Sequence, residues 1–143
     1  MDMKQKLMRT ASDMRALSYA PYSHFTVGAA LLGKDGKIYT GCNVENAGYG
    51  PTICAERTAF VKAVSEGCRE FLMIAIAGGK EQEDCADLCA PCGVCRQVMR
   101  EFCDPDSFLI LMGRDGEIHA ERTLSELLPM SFGPDDLKGR NIL

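Results

Sequence analysis

The stretch FLMIAIA, at positions 71–77, contains no polar side chain. An apolar run of this length is typical of a strand at the centre of a sheet that is covered on both faces. Helical patterns lie on either side of it along the chain, from about residue 54 to residue 65 and from residue 92 to residue 102. We therefore predict a central β-strand with helices packed against it.

The remaining segments also alternate between helical and extended patterns. Apolar residues recur at helical spacing within positions 4–18. Two strands are expected on either side of Asp35-Gly36, where glycine supplies the positive φ of a type I′ turn. A buried strand is expected at 108–112, followed by a second Asp-Gly turn and a short helix with a capping box at Thr123. Strands that alternate with helices predict an α/β layered fold with a mixed sheet.

Length and composition predict one globular domain, residues 1–143. Apolar residues make up 46% of the 143 positions and charged residues 25%, which is ordinary for a folded domain with a real core. The net charge of −4 and the lack of a basic run disfavour binding to nucleic acid. No apolar stretch approaches the ~20 residues of a membrane span, and the N-terminus lacks an apolar signal core. A cytoplasmic location without membrane contact is expected.

The eight cysteines of a cytosolic chain are better explained by metal ligands or buried thiols than by disulfides. Cys92 and Cys95 form a Cys-x-x-Cys pair at a helix start, which alone could be a redox pair or half of a zinc knuckle. Cys54 opens the other helix. If the strands before the two helices are parallel neighbours, both helix N-termini reach the same edge of the sheet, and their positive ends favour thiolates. Three thiolates could then bind one zinc and leave a fourth position for water, which is the catalytic pattern.

Two charged residues accompany Cys54 at the helix start. Glu56 follows it by two positions, so the two side chains point ~200° apart on an ideal helix, and Glu56 is expected to move protons beside the metal rather than bind it. Arg57, three positions after Cys54, lies on the same face. Three thiolates leave a divalent zinc with net negative charge, which a guanidinium bonded to the sulfurs would offset. The alternatives are a glutamate favoured only by the helix dipole and a solvated surface arginine.

Together these motifs resemble the zinc-dependent cytidine deaminases. The strings that carry the resemblance to the small, free-nucleoside enzymes of this family are YAPYS (19–23), NVENA (43–47), CAERTA (54–59), PCGVCRQ (91–97) and LLP (127–129). The resemblance extends from about residue 5 to residue 137, and cysteine at position 54 is similar to the homotetrameric type. It implies three layers, α/β/α, with a central mixed sheet of about five strands.

The resemblance also implies an activity. Free cytidine and 2′-deoxycytidine would be hydrolysed to uridine and 2′-deoxyuridine with release of ammonia, a step of pyrimidine salvage. Cys54, Cys92 and Cys95 would bind one Zn²⁺ per subunit. Glu56 would take a proton from zinc-bound water and pass it to the pyrimidine ring nitrogen, while the hydroxide attacks the carbon that bears the amino group.

Four positions would bind the nucleoside directly, according to the same resemblance. Phe25 would lie against the base, and the backbone N–H of Ala55 would contact the pyrimidine carbonyl. Asn43 and Glu45 would bind the ribose hydroxyls, and their spacing puts both side chains on one face of an extended segment. The alternatives are a core role for Phe25 and strand-end capping for Asn43 and Glu45.

Two further aromatic residues match positions that lie at subunit interfaces in the family. Phe132 corresponds to a C-terminal aromatic residue that closes the pocket of a neighbouring subunit, and Tyr49 to an interface aromatic residue near the site. Both are therefore expected to contribute to substrate binding. A homotetramer with pockets shared between subunits is the expected assembly.

Three other functions remain open from the sequence. A deaminase of a modified nucleoside such as blasticidin S would share the metal motifs, although the Asn43 and Glu45 pair argues against it. A metal-binding protein without enzymatic activity could hold a four-thiolate zinc or iron–sulfur site at cysteines 85, 89, 92 and 95. A deaminase acting on polynucleotides is disfavoured by the acidic charge and by the lack of a basic aromatic stripe.

Overall fold

A computed structural model describes residues 1–81 and 88–138 of the chain. The strands are β1 (Phe25–Gly33), β2 (Ile38–Cys42), β3 (Phe71–Lys80), β4 (Leu109–Arg114) and β5 (Glu117–Thr123). The helices are α1 (Met3–Met14), α2 (Ala55–Ser65), α3 (Gly93–Phe102), α4 (Leu124–Leu127) and α5 (Pro134–Lys138), and a 3₁₀ turn (Arg15–Leu17) follows α1.

The five strands form one mixed sheet in the order β2-β1-β3-β4-β5. Only the β3–β4 pair is parallel, and the other three pairs are antiparallel. The apolar stretch that begins at Phe71 is the central strand β3, and it is buried without interruption from Ile74 to Gly79. Leu72 and Met73, near its start, are exposed and half-buried. The predicted sheet of about five strands is confirmed.

Helices cover both faces of the sheet, so the three layers are also confirmed. On one face, α2 and α3 pack over a core that includes Phe60, Met99 and Ile110. On the other face, α1 buries Leu7 and Met8 against the sheet. Apolar burial on both faces provides the main stabilisation. The short helix α5 was not among the predicted elements.

The two Asp-Gly turns differ. At the β4–β5 hairpin, Asp115 and Gly116 both have positive φ, 51° and 79°, as a type I′ turn requires. At the β1–β2 hairpin, Gly36 has a φ of 86° but Asp35 does not have a positive φ, so the predicted type I′ turn is wrong there. The Asp35 carboxylate instead accepts hydrogen bonds from the Lys37 N–H (2.9 Å) and the Tyr39 hydroxyl (2.8 Å), which favours a longer loop.

The order of the strands explains how the two helix starts come together. The strands before α2 and α3 are β2 and β3, and they are not the neighbours that the sequence argument assumed, because β1 lies between them. Both run antiparallel to β1 and hence parallel to each other. Cys42 near the end of β2 and Ala77 in β3 both pair with Gly28, so the two strands end at the same edge. The two helices therefore start at the same edge of the sheet, as predicted, although the strands before them are not neighbours.

None of the helices within residues 1–81 and 88–138 combines the length and the apolar character that a membrane crossing requires.

Replacing Gly41 by alanine is expected to destabilise the protein by about 1–3 kcal/mol, because overpacking a close contact forces the backbone to shift. A Cβ at Gly41 would lie 2.6 Å from the Ala59 nitrogen and would overlap the Ala55 carbonyl oxygen, so α2 would move away from β2. Urea unfolding measures the change. The control is Gly50→Ala, whose Cβ would have no heavy atom within 4 Å and which should change stability by less than about 0.5 kcal/mol. Equal effects of the two substitutions would contradict this packing.

Candidate active site

Two helix N-termini meet at the edge where β2 and β3 end. Cys54 is the residue before α2 and Cys92 is the residue before α3, and both have extended backbone conformations. Cys92 Sγ accepts a hydrogen bond from the backbone N–H of Cys95 at 3.4 Å, which caps α3. The first N–H groups of a helix have no partner within the helix, so these positions favour negatively charged ligands and thiolates.

Three sulfur atoms converge between these helix starts. Cys54 Sγ lies 3.7 Å from Cys92 Sγ, and Cys92 Sγ lies 3.4 Å from Cys95 Sγ. All three sulfurs lie within 4.8 Å of one another. Tetrahedral zinc with bonds of about 2.3 Å would separate its sulfur ligands by about 3.8 Å. The donor type and the spacing therefore fit one zinc ion. In the described ranges, no other group of three such side chains meets the same distance limit.

The four-cysteine alternative does not have this support. Cys89 lies outside the three-sulfur group. Its Sγ packs over the backbone of β3 instead, because a Cβ built on Gly78 would lie only 2.8 Å from it. Cys85, the fourth member of that alternative, lies outside the described residues.

Charges and hydrogen bonds around the sulfurs favour a thiolate at Cys54. The Cys95 thiol and the Arg57 guanidinium donate to its sulfur, and together they lower the pKa of Cys54 to about 5 despite partial burial. The pKa of Cys95 is raised, because it donates to Cys54 and is buried. Arg57 approaches with one terminal nitrogen 3.5 Å from Cys54 Sγ, and this contact raises the pKa of Arg57. The structure therefore puts Arg57 against a sulfur of the three-cysteine group, not in solvent.

Glu56 is a buried carboxyl group beside the sulfurs, and only 4% of its surface is exposed. Burial raises the pKa of Glu56 to about 7, although its own backbone N–H acts in the opposite direction. It is not a member of the group formed by the three sulfurs. A carboxyl group with a pKa near neutrality can both accept and donate a proton, which is the property required of a general acid–base group.

A cavity of about 330 Å³ opens in front of the sulfurs and Glu56. Its size is at the lower end of the range of small-molecule sites, which is ~300–1,000 Å³. The predicted residues Phe25, Asn43, Glu45 and Ala55 all line it, together with Cys54, Glu56 and Cys92. Six further residues line the cavity although the sequence did not predict a place there for them: Ser23, Val27, Thr52, Ile53, Ala90 and Cys89, the last of which was considered only as a ligand of the four-cysteine alternative. Of these, only Ser23 lay within a string that carried the family resemblance.

The side chain of Asn43 is held by the start of β1, and that of Glu45 by the segment that leads into β1. Asn43 accepts a hydrogen bond from the Val27 N–H and donates one to the Phe25 carbonyl, each at 2.9 Å. One Glu45 oxygen accepts from the N–H groups of Tyr22 (3.0 Å) and Ser23 (3.1 Å). Both side chains therefore already have protein partners, and both retain unused hydrogen-bonding capacity at the cavity.

Tyr49 and Phe132 are not brought to the cavity within one chain. Tyr49 is 97% exposed and lines an adjoining surface cleft with Tyr22 and Glu45. Phe132 is 59% exposed, and its carbonyl accepts a hydrogen bond from the Gln97 side chain at 2.8 Å. Neither aromatic ring therefore lines the cavity of its own chain.

Comparison with known proteins places the chain in a family. A sequence profile described as the cytidine and deoxycytidylate deaminase zinc-binding region matches residues 1–112. The chain belongs to this deaminase family. The cytidine deaminase of Sporosarcina psychrophila is 47% identical over 133 residues, which are 93% of each chain. That of Halalkalibacterium halodurans is 47% identical over 134 residues, 94% of this chain and 97% of the relative.

Solved structures of the family have the same fold. The crystal structure of the cytidine deaminase from Burkholderia pseudomallei superimposes with a TM-score of 0.80 at 41% sequence identity, and the match covers 92% of this chain and all of the other. That of the cytidine deaminase from Mycobacterium tuberculosis superimposes with a TM-score of 0.76 at 38% identity. The resemblance stated from the sequence motifs is thus confirmed, and the three-sulfur group is consistent with the zinc that defines the deaminase family.

The zinc content of alanine variants is expected to distinguish the role of Cys54 from that of Cys89. A Cys54→Ala variant should lose zinc, because a site with two remaining thiolates binds weakly. A Cys89→Ala variant should keep the zinc content of the wild type, because Cys89 lies outside the sulfur group. Metal analysis of the two purified variants measures the zinc-to-protein ratio. Normal zinc in Cys54→Ala together with loss of zinc in Cys89→Ala would favour the four-cysteine alternative.

Proposed function

We propose that this protein hydrolyses free cytidine and 2′-deoxycytidine to uridine and 2′-deoxyuridine with release of ammonia. The observation that carries the proposal is a buried carboxyl group, Glu56, which borders the same small cavity as two of the three convergent cysteine sulfurs. Relatives named cytidine deaminase that align over 93–94% of the chain support it.

Cys54, Cys92 and Cys95 would hold one zinc ion per subunit as thiolates. When bound at three protein ligands, zinc supplies a water molecule whose pKa is lowered toward neutrality. Arg57 would donate to the Cys54 sulfur and offset the negative charge of the three thiolates. Arg57 would thus draw electron density away from the Cys54 sulfur, so that the zinc remains a stronger electrophile.

Glu56 would move protons between water and the substrate. As a carboxylate it accepts a proton from the attacking water and delivers it to the pyrimidine ring nitrogen. A second transfer to the amino group allows ammonia to leave as the ring carbonyl forms. Water thus supplies the oxygen and both protons that the reaction needs, so cytidine and water yield uridine and ammonia.

Residues around the cavity would orient the nucleoside. The ring of Phe25, at the start of β1, would lie against the base. The backbone N–H of Ala55 is the first of α2 and has no partner in the helical bonding pattern, so it is available to the pyrimidine carbonyl oxygen. Asn43 and Glu45 would use their remaining hydrogen-bonding capacity on the ribose hydroxyls.

We further propose that residues 1–143 act as one catalytic domain and that four copies assemble into a homotetramer. Tyr49 and Phe132, both exposed on the isolated chain, would complete the pockets of neighbouring subunits. The enzyme would serve pyrimidine salvage in the cytoplasm. The acidic net charge of −4 agrees with a free nucleoside as substrate and disfavours nucleic acid.

Ultraviolet monitoring of purified protein mixed with cytidine, 2′-deoxycytidine or blasticidin S tests the function. We expect turnover of both nucleosides and loss of turnover after treatment with a zinc chelator. Turnover of blasticidin S alone would replace the proposal with a modified-nucleoside deaminase. Conversion of cytosine in single-stranded DNA that is suppressed by salt would indicate a polynucleotide deaminase.

Glu56→Gln in the same assay tests the proton shuttle. The substitution keeps the shape of the side chain but removes the proton-accepting group, so the rate should fall by at least ~10²–10⁴. Zinc content and thermal stability are measured in parallel and should match the wild type. Full activity of a zinc-loaded Glu56→Gln variant would show that the proton passes through another group.

A further inference from the structure

Ser23 donates hydrogen bonds to both carboxylate oxygens of Glu45. Its hydroxyl donates a hydrogen bond to one carboxylate oxygen of Glu45. Its backbone N–H donates to the other oxygen at 3.1 Å, and the Tyr22 N–H donates to that same oxygen at 3.0 Å. Both carboxylate oxygens are therefore held by one short segment of chain, residues 22–23, which precedes β1.

The direction of the Ser23 hydroxyl is itself fixed. A hydroxyl has one proton to donate and two lone pairs to accept. The Phe25 N–H donates to Ser23 Oγ at 3.0 Å, which orients the hydroxyl proton away from Phe25 and toward Glu45. Phe25 is the first residue of β1, so the contact connects the Glu45 carboxylate to the edge of the sheet.

The backbone at His24 makes this arrangement possible. His24 has a φ of 57°, a left-handed conformation that non-glycine residues rarely adopt and that costs about 1–3 kcal/mol. The left-handed residue turns the chain so that Ser23 Oγ meets the N–H two residues later. Its N–H donates to Ala20 and its carbonyl accepts from Glu81, which hold the conformation in place. Such strain is commonly found beside functional sites.

The backbone of Glu45 is also held, so the side chain is the part that Ser23 controls. The Glu45 N–H donates to the Tyr19 carbonyl at 2.8 Å, and Val44 pairs with Ile53 in an isolated bridge. Without the Ser23 hydroxyl, the carboxylate would keep only backbone N–H donors on a single oxygen. The Ser23 hydroxyl also lowers the pKa of Glu45, and its effect is larger than that of the backbone N–H donors.

We propose that Ser23 is a positioning residue that fixes the Glu45 carboxylate toward the sugar and thereby sets the preference for nucleosides with ring hydroxyls. The inference rests on the proposed function, in which Glu45 binds a ribose hydroxyl. A fixed acceptor rejects a ligand that lacks the matching donor, because the lone pair that would accept from the sugar is then left without a partner on binding. A carboxylate that can rotate into solvent loses this discrimination.

A comparison of two ligands in wild type and Ser23→Ala tests the inference. The KM of cytidine and the inhibition constant of 2′,3′-dideoxycytidine, measured as a competitor of cytidine, give the ratio by which the hydroxyls improve binding. This ratio is expected to fall about tenfold in Ser23→Ala, since a hydrogen bond to a charged group contributes at least that factor. General damage to the site would weaken both ligands and leave the ratio unchanged.

Three further variants distinguish the positioning role from a structural one. Ser23→Thr retains the hydroxyl and should restore most of the ratio. Ser65→Ala removes a hydroxyl that bonds within α2, to the Lys62 carbonyl, and should keep the wild-type ratio. In a Glu45→Ala background, Ser23→Ala should change the ratio by less than about twofold, because effects that act through one partner are not additive.

Each result has a distinct meaning. A Ser23→Ala variant that turns over cytidine with an unchanged ratio would overturn the inference and leave the proposed function intact. Additive effects of Ser23→Ala and Glu45→Ala would overturn it as well. A wild-type protein that holds zinc but does not convert cytidine would instead refute the proposed function on which the inference rests.

Discussion

The requirement that three sulfur atoms share one small volume constrains the rest of the structure. Thiolates repel one another at the distances found here, 3.4 and 3.7 Å, unless positive charge is close to them. The chain supplies that charge from two helix N-termini and from the Arg57 guanidinium, and a divalent cation completes it. This requirement is met only if α2 and α3 begin at the same edge of the sheet, as they do.

The same arrangement creates the cavity in front of the sulfurs. Strand β1 lies between β2 and β3, so its first residue, Phe25, begins at the edge where the two helices start. The segments at this edge carry Ser23, Glu45 and Glu56, which all line the cavity. A rigid sheet edge thus positions groups that come from four separate parts of the sequence, which is how a chain of 143 residues builds a site of this size.

Local patterns predicted much of this architecture, and long-range pairing was harder to predict. The central strand, the helices that begin beside Cys54 and Cys92, and the Cys92–Cys95 pair follow from periodicity and spacing over short distances. The addition of Cys54 to that pair rested on an assumed pairing of neighbouring strands and on the family resemblance. The position of β1 between β2 and β3 depends on pairing between distant segments, which periodicity does not encode. The type I′ turn predicted at Asp35-Gly36 is wrong because the Asp35 carboxylate accepts a hydrogen bond from the Lys37 N–H, which favours a longer loop. The contacts of Ser23 with Glu45 depend on the left-handed backbone at His24, which the sequence gives no reason to expect.

Zinc K-edge X-ray absorption of the purified protein tests the central claim most directly, because it counts the atoms bound to the metal and measures their distances. Three sulfur ligands at about 2.3 Å and one oxygen ligand at about 2.0 Å are expected. Four sulfur ligands would mean that a fourth cysteine fills the position left for water, and would contradict the account.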